Sequence, residues 1–437
     1  MKKSIFTLLF VSLICFLYSQ GYYYPPTGSD EWEMLDYTDL NWCAEKVDSM
    51  IDYAGENEVK SLLILKEGKM VLEHYFGTYT QDSIWYWASA AKSLVASLTG
   101  MAQEEGYLSI DDPTSDYLGV GWTGTTPENE IQVTIQHQLR MNTGLYDPNE
   151  AVGEIANCLD PECLQYKTDP GDSWAYFNST YRLVQDVLVE ATGVGKNIYT
   201  PTLLGNKIGM EGFWFGYLYF SRARDMARFG LWALSEGSWD GTQVMTDTDY
   251  FHDMVNTSQD LNLSYGYLWW LNGKESYMLP GGLPTVFPGP IFPDAPQDMY
   301  AALGANGQCI FVVPSLDMVV VVQSNAIDNS LIGNITFQNE LWAKILDLEC
   351  TTTATDDLAV VDIQISPNPA IDVIRLTANE PIALVRLLDL QGRTRLLKSD
   401  LGTSAELIIE QVPSGVYYLH LQTDHGAEVT RKLVKQE

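Results

Sequence analysis

The sequence predicts a chain of α/β (α+β) class: an antiparallel sheet flanked by helices, with a helical insertion between its strands, and then a small C-terminal all-β sandwich. Three observations carry this expectation. Strand-like apolar runs stand near both ends of the first 350 residues, around 61–76 and 310–322. The stretch between them, 111–264, mixes helical periodicity with Gly, Pro, Asn and Asp loops. Beyond residue 362 only short alternating segments occur, separated by turn residues.

Taken in order, the first twenty residues stand apart. Lys2 and Lys3 are followed by an apolar run, Ile5 to Leu17, that is too short to span a bilayer comfortably. A small residue, Ser19, follows, so residues 1–20 read as a secretory signal peptide, with an uncleaved anchor as the alternative. No later stretch is long and apolar enough to span a membrane. From Asp39 to Tyr53, Trp42, Val47, Met50 and Ile51 repeat at helical spacing. Ser61–Leu65 and Met70–Phe76 read as a hairpin turned at Glu67-Gly68. Ser89 to Glu105 is a helix with the stripe Leu94, Val95, Leu98, Met101 and Ala102, stopped by Gly106. Thr134–Met141, Ser179–Thr192 and Ala223–Glu236 are helical by pattern. Ile310–Val313 and Met318–Val322 are nearly continuous in apolar residues, so both faces of these strands are expected to be buried. Glu340–Leu348 closes the first part with a helix. Residues 351–362, with Thr351-Thr352-Thr353-Ala354-Thr355-Asp356-Asp357, read as a linker. Sandwich strands are expected at Ile371–Leu376, Ile382–Leu388, Ala405–Ile409, Val416–Leu421 and Val429–Val434.

Composition narrows the function. The chain of 437 residues is 46% hydrophobic and 12% aromatic, enough for a substantial core. Its formal net charge of -32 repels phosphate backbones and argues against a nucleic-acid partner. Cys15 leaves with the signal, and an exported chain can oxidise the other cysteines. Cys158 and Cys163 bracket Leu-Asp-Pro-Glu and suit a short-loop disulfide. Cys43 and Cys350 could pair if the first and last helices of the main domain pack side by side, leaving Cys309 buried and unpaired. No CxxC or HExxH occurs, so neither a metal nor a cofactor is implied.

The chemistry is sought at Trp87-Ala88-Ser89-Ala90-Ala91-Lys92. A serine hydroxyl needs a base. Of the five histidines, His74 lies in a strand and His137 among apolar helix neighbours, and both read as structural. No G-x-S-x-G elbow occurs, which disfavours a Ser-His-Asp hydrolase. Lys92 can serve instead. Residues three apart share a helix face, and both burial and a helix N-terminus favour the neutral amine that a base must be. The Ser89 N–H at the helix start can bind an oxyanion. A second element is Tyr176-Phe177-Asn178, before a helix that Asn178 or Ser179 would cap. The phenol of Tyr176, near an ammonium, can share its proton as general base and acid. A third is Leu303-Gly304-Ala305-Asn306-Gly307-Gln308, opening a buried strand, where glycine would let substrate approach and the Gln308 N–H could be a second oxyanion donor.

Ser89-Ala90-Ala91-Lys92, Tyr176-Phe177-Asn178 and Gly304-Ala305-Asn306-Gly307-Gln308 fall in an order that resembles the serine β-lactamase-like hydrolases. The chain looks like the class C branch, which includes penicillin-binding D,D-peptidases, esterases and 6-aminohexanoate-dimer hydrolases. Thr143-Gly144-Leu145 is similar to a turn of that family, Ala223-Arg224-Asp225 to a helix motif and Tyr265-Gly266-Tyr267-Leu268-Trp269-Trp270 to a strand, and the resemblance spans about residues 35–350. It implies Ser89 as acylated nucleophile, Lys92 as its proton partner and Tyr176 as base. Asn178 would hold the lysine and the substrate amide, and the Ser89 and Gln308 N–H groups would form the oxyanion hole. One departure matters. The third motif usually opens with Lys or His, and Ala305 stands there, beside the neutral Asn306. This weakens the case for β-lactam or D-Ala-D-Ala substrates and favours uncharged esters or amides. A D,D-peptidase or β-lactamase is the alternative enzyme, and a weakened penicillin-binding-like binding protein the non-enzyme alternative.

Ile365-Ser366-Pro367-Asn368-Pro369, Gly415-Val416-Tyr417-Tyr418 and Lys432-Leu433-Val434-Lys435 resemble the C-terminal sorting domain of type IX secretion. The expected organisation is therefore a signal peptide (1–20), a serine hydrolase domain (21–350), a linker (351–362) and a sorting β-sandwich (363–437). The expected partners are a small-molecule or short peptide or oligomer substrate and the type IX machinery. The expected location is secreted or at the cell surface.

Overall fold

The computed structural model describes residues 21–148, 157–281, 285–325, 331–350, 363–389, 392–399, 401–424 and 428–436. The expected signal peptide and linker lie outside the described residues. The chain divides into two compact units, Met1–Cys350 and Thr351–Glu437.

The first unit is built on a six-stranded sheet in the order Trp270–Leu271, Tyr300–Gly304, Gln308–Val313, Met318–Ser324, Val59–Lys66, Lys69–Tyr75. Every pairing in it is antiparallel. Strands from the two ends of the unit meet where Leu62–Leu65 pair with Val319–Val322, and both runs are buried. Strand periodicity sends alternate residues to opposite faces. Val319 and Ile310 lie under the helix Ala223–Leu234, where a Cβ on Gly230 would sit 2.5 Å from Val319 Cγ1. Phe311 meets Trp342 of the helix Leu331–Leu346 edge to face at 5.6 Å. Both faces are thus covered, as the apolar runs require.

The helix Ala91–Glu104 is buried on all sides from Ala91 to Ala102. Such a helix belongs inside a domain rather than on its surface. Its hydroxyls are satisfied internally: Ser93 Oγ donates to the Leu268 carbonyl at 2.8 Å and Thr99 Oγ1 to the Val95 carbonyl at 2.8 Å.

Several boundaries differ from expectation. The helix expected from Asp39 begins at Ala44, after a separate turn at Tyr37–Leu40. Cys43 is held extended at its N-terminus and bonded to Cys350. The closing helix is Leu331–Leu346, starting earlier than Glu340. Tyr265–Trp270 is mostly a turn with Leu268 at φ 57°, and only Trp270–Leu271 joins the sheet. Cys158 is bonded to Cys163, and Cys309 is free and buried.

The second unit is two antiparallel sheets around their own apolar core of Ile374, Leu376, Val385, Leu387, Leu419 and Leu433. One holds Ile363–Ser366, Val373–Ala378 and Ser404–Ile408, the other Thr394–Ser399, Ile382–Leu388, Gly415–Thr423 and Glu428–Lys435. Ile363–Ser366 and Thr394–Ser399 were not expected; the latter is largely exposed, so its alternation carries little hydrophobic signal.

Candidate active site

Ser89 sits in a single 3-10 turn, Ala88–Ala90, that runs directly into the helix Ala91–Glu104. The turn is fixed from before and from beside. Trp87 is fully buried, its Nε1 donates to Ser221 Oγ at 2.7 Å, and its backbone N–H donates to the Tyr219 carbonyl at 2.9 Å. Ala88 takes φ 48°, a left-handed conformation that costs a non-glycine residue about 1 kcal/mol. The strand Tyr300–Gly304 ends against this turn. A Cβ on Gly304 would lie 2.4 Å from the Trp87 carbonyl oxygen and 3.0 Å from the Ala90 nitrogen. Gly304 therefore admits the nucleophile's own turn.

Lys92 lies one turn on and is 2% exposed. Its Nζ donates to Ser89 Oγ at 2.8 Å. The ammonium position lies 4.6 Å from the Tyr176 ring centroid and 4.3 Å from that of Tyr181. Among the described residues no carboxylate comes within ion-pair distance of it. Burial, reinforced by the Arg182 cation, holds its pKa well below the lysine value of 10.5. The amine is thus driven towards its neutral form. Burial pushes the Tyr176 phenol upwards, opposed in part by a hydrogen bond with Ser89. Both groups favour their neutral states in this dry surrounding.

Tyr176 is packed by the Tyr265–Trp270 turn: it stacks on Trp270 at 5.8 Å and meets Tyr265 edge to face at 6.3 Å. Asn178 is the first residue of the helix Asn178–Thr192. Phe177 occupies the cap position without a side-chain cap, so neither Asn178 nor Ser179 caps the helix as expected. Asn178 Nδ2 instead donates to Asn157 Oδ1 at 3.1 Å, and its Oδ1 is buried without a hydrogen-bond partner among the described residues. Asn157 adjoins the Cys158–Cys163 disulfide.

A cavity of about 100 Å³ opens at Ser89, lined also by Lys92, Asn178, Tyr181, Arg182 and Tyr217. Ser89, Lys92, Tyr176 and Asn178 are therefore brought together. Asn306, Gly307 and Gln308 form the adjoining strand turn and are not among the side chains lining the cavity. Asn306, at φ 61°, donates its Nδ2 to Tyr86 Oη at 2.6 Å. Gln308 pairs with Gly304 in the ladder, and its Nε2 donates to the Asn306 and Ser324 carbonyls at 2.9 and 2.7 Å. Its side chain thus ties the turn to the sheet. A larger cavity, about 300 Å³, lies around Phe251, His252, Asn272 and Tyr300, at the far end of the strand that reaches Ser89, and contains none of the predicted site residues. His137 is a capping residue: its backbone N–H donates to Thr134 Oγ1 and its ring accepts from the Thr134 N–H.

Tyr181 and Arg182 were missed by the sequence reading. They stand three and four residues after Asn178, so helical spacing places all three on one face. That spacing is the signal that could have found them. The aromatic stretch Phe213–Phe220 folds into a hairpin. Trp214 and Tyr219 turn inwards, and Tyr217 and Leu218 reach the cavity.

The Beta-lactamase family profile matches residues 56–330, more than half of the chain, and the chain belongs to this family. The profile of the secretion system C-terminal sorting domain matches residues 364–436. That domain routes the chain through type IX secretion, to be released or held at the cell surface. An uncharacterized protein of Alkalihalophilus pseudofirmus is 23% identical over 324 residues, covering 64% of this chain and 87% of that protein. Among solved structures, a putative 6-aminohexanoate-dimer hydrolase from Bacillus anthracis is similar with a TM-score of 0.52 and 18% identity, over 68% of this chain and 82% of that one. The hydrolase EstCE1, described as having promiscuous acyltransferase activity, is similar with a TM-score of 0.52 and 12% identity, over 69% and 98%.

Proposed function

We propose that the chain is an exported serine hydrolase that cleaves an ester or amide through an acyl-enzyme on Ser89, with residues 21–350 as its catalytic domain. The observation that carries this reading is the 2.8 Å contact of Lys92 Nζ with Ser89 Oγ in a buried setting that favours the neutral amine. Lys92 takes the Ser89 proton as Oγ bonds to the substrate carbonyl carbon. The Ser89 N–H and an amide of the Gly304–Gln308 turn receive the developing oxyanion. The proton passes through the Tyr176 phenol to the leaving oxygen or nitrogen as its bond to carbon breaks. Water then attacks the acyl carbon, gives its proton back along the same route, and frees Ser89. Because Tyr176 is held neutral, the phenol relays the proton, and Lys92 is the resting base. Asn178 Oδ1, buried and without a partner among the described residues, is an acceptor suited to a substrate N–H.

Mass spectrometry after exposure to a nitrophenyl ester, a fluorophosphonate and a penicillin tests this, with Ser89→Ala alongside. The expected result is Ser89 labelling by the first two, ester turnover, and a loss in Ser89→Ala of about 10³-fold or more. Stable acylation by penicillin would shift the reading to a D,D-peptidase, and penicillin turnover to a β-lactamase. Absence of any Ser89 adduct would favour a binding protein.

A further inference from the structure

We infer that Arg182 makes this a site for esters or amides that carry a carboxylate, the guanidinium meeting that carboxylate from the helix side of the cavity. The inference rests on the Ser89 reading and names its substrate class. The strand turn Gly304–Gln308 offers no charged side chain, so from that side the substrate meets neutral groups. The opposite wall differs. Arg182 lines the same cavity as Ser89 and Lys92, one helical turn after Asn178. Its guanidinium is held by two contacts: Nη1 donates to the Asn157 carbonyl at 3.1 Å, and the group lies 5.6 Å from the Tyr217 ring centroid. Tyr217 is itself fixed, its Oη donating to Asp186 Oδ2 at 2.8 Å.

Among the described residues, Nε and Nη2 have no hydrogen-bond partner and no carboxylate reaches ion-pair distance. This chain has 57 acidic and 25 basic residues, and Arg222 and Arg224 find carboxylates, whereas Arg228 is held by backbone carbonyls and Arg140 keeps a buried Nε without a partner among the described residues. Arg222 bonds Asp225 at 3.0 Å, and Arg224 bonds Glu73 at 2.6 and 2.7 Å. Arg182 is braced at one nitrogen and, among the described residues, leaves the fork open at a cavity lined by no Asp or Glu. A planar guanidinium with free parallel donors matches a carboxylate. Lys92 is held for proton transfer by Ser89 and does not compete for the anion.

The test compares two nitrophenyl esters on the full chain: the pentanoate, and the glutarate hemiester, which has a similar acyl length and ends in a carboxylate. The wild-type kcat/KM is expected to favour the hemiester by about tenfold or more. In Arg182→Met that ratio should fall to about one, and Arg182→Lys should restore part of it. Any effect of Arg182 on Lys92 acts on both esters and cancels in the ratio. An unchanged ratio in Arg182→Met, or a wild-type preference for the pentanoate, overturns the inference. Calorimetric binding of both esters to Ser89→Ala, and to Ser89→Ala with Arg182→Met, gives a second readout. Tighter hemiester binding that vanishes with Arg182 supports the inference, and equal affinities overturn it. If Ser89→Ala hydrolyses both esters at the wild-type rate, the acyl-enzyme reading falls, while the dependence of the rate ratio on Arg182 still decides the substrate class.

Discussion

Lys92 is buried where a lysine is costly, and its surroundings show why it is kept. Two tyrosine rings, one serine hydroxyl and the Arg182 cation face it, and no described carboxylate does. Protonation of the folded chain is therefore disfavoured relative to the unfolded one. Between its lowered pKa and the ordinary value of 10.5, the unfolded chain binds more protons, so stability rises with pH through that window. Lys92→Met removes this penalty. It should raise unfolding stability at pH 7 by about 0.5–2 kcal/mol, with the advantage shrinking as pH rises, while ester turnover falls about 10³-fold or more. Denaturant titrations at pH 7 and 9.5 check the first, and turnover the second. The rate should also fall as pH drops through the lowered Lys92 value. Arg182→Met should move that limb to higher pH, because removing a neighbouring cation lets the amine hold its proton. Ser89 and Lys92 were legible because both lie within four residues. Arg182 was not, because a charged residue on a helix ordinarily reads as solvated.

The Ser89 turn and the end of the Tyr300–Gly304 strand fit as a pair. Gly304 has an ordinary extended backbone, φ -123°, so its constraint is purely steric. Gly304→Ala would drive a methyl into the Trp87 carbonyl, and either the strand end or the nucleophile's turn must shift. The expected cost is about 1–3 kcal/mol of stability, with Ser89 labelling by a fluorophosphonate slowed at least tenfold. Thermal denaturation and labelling kinetics report the two effects. A wild-type labelling rate would mean that the turn tolerates displacement. The sequence marked this stretch as a turn into a buried strand, and that much stands. It could not tell whether the space beside a glycine belongs to substrate or to another part of the chain. The same limit applies to Asn178, which begins a helix but points its amide at Asn157, 21 residues earlier.

Each of the two units has its own hydrophobic core, and the cores share no residue. A fragment of residues 21–350 should therefore unfold cooperatively and be labelled at Ser89 at the rate of the full chain. Loss of labelling in the fragment would tie catalysis to the sorting domain. Within the first unit, the Cys43–Cys350 disulfide joins residues 307 apart and closes nearly the whole unit into one loop.

From the sequence alone came the class of the fold, the order of its elements, the Ser-x-x-Lys start and the β-sandwich tail. These rest on periodicity and on residues close along the chain, which a linear reading can see. The tertiary structure alone decided that Gly304 receives the Ser89 turn, that the Tyr265–Trp270 segment packs Tyr176, and that Arg182 faces the nucleophile's cavity. Those relations join residues far apart in sequence, and their physical content is distance, burial and which charge goes unpaired.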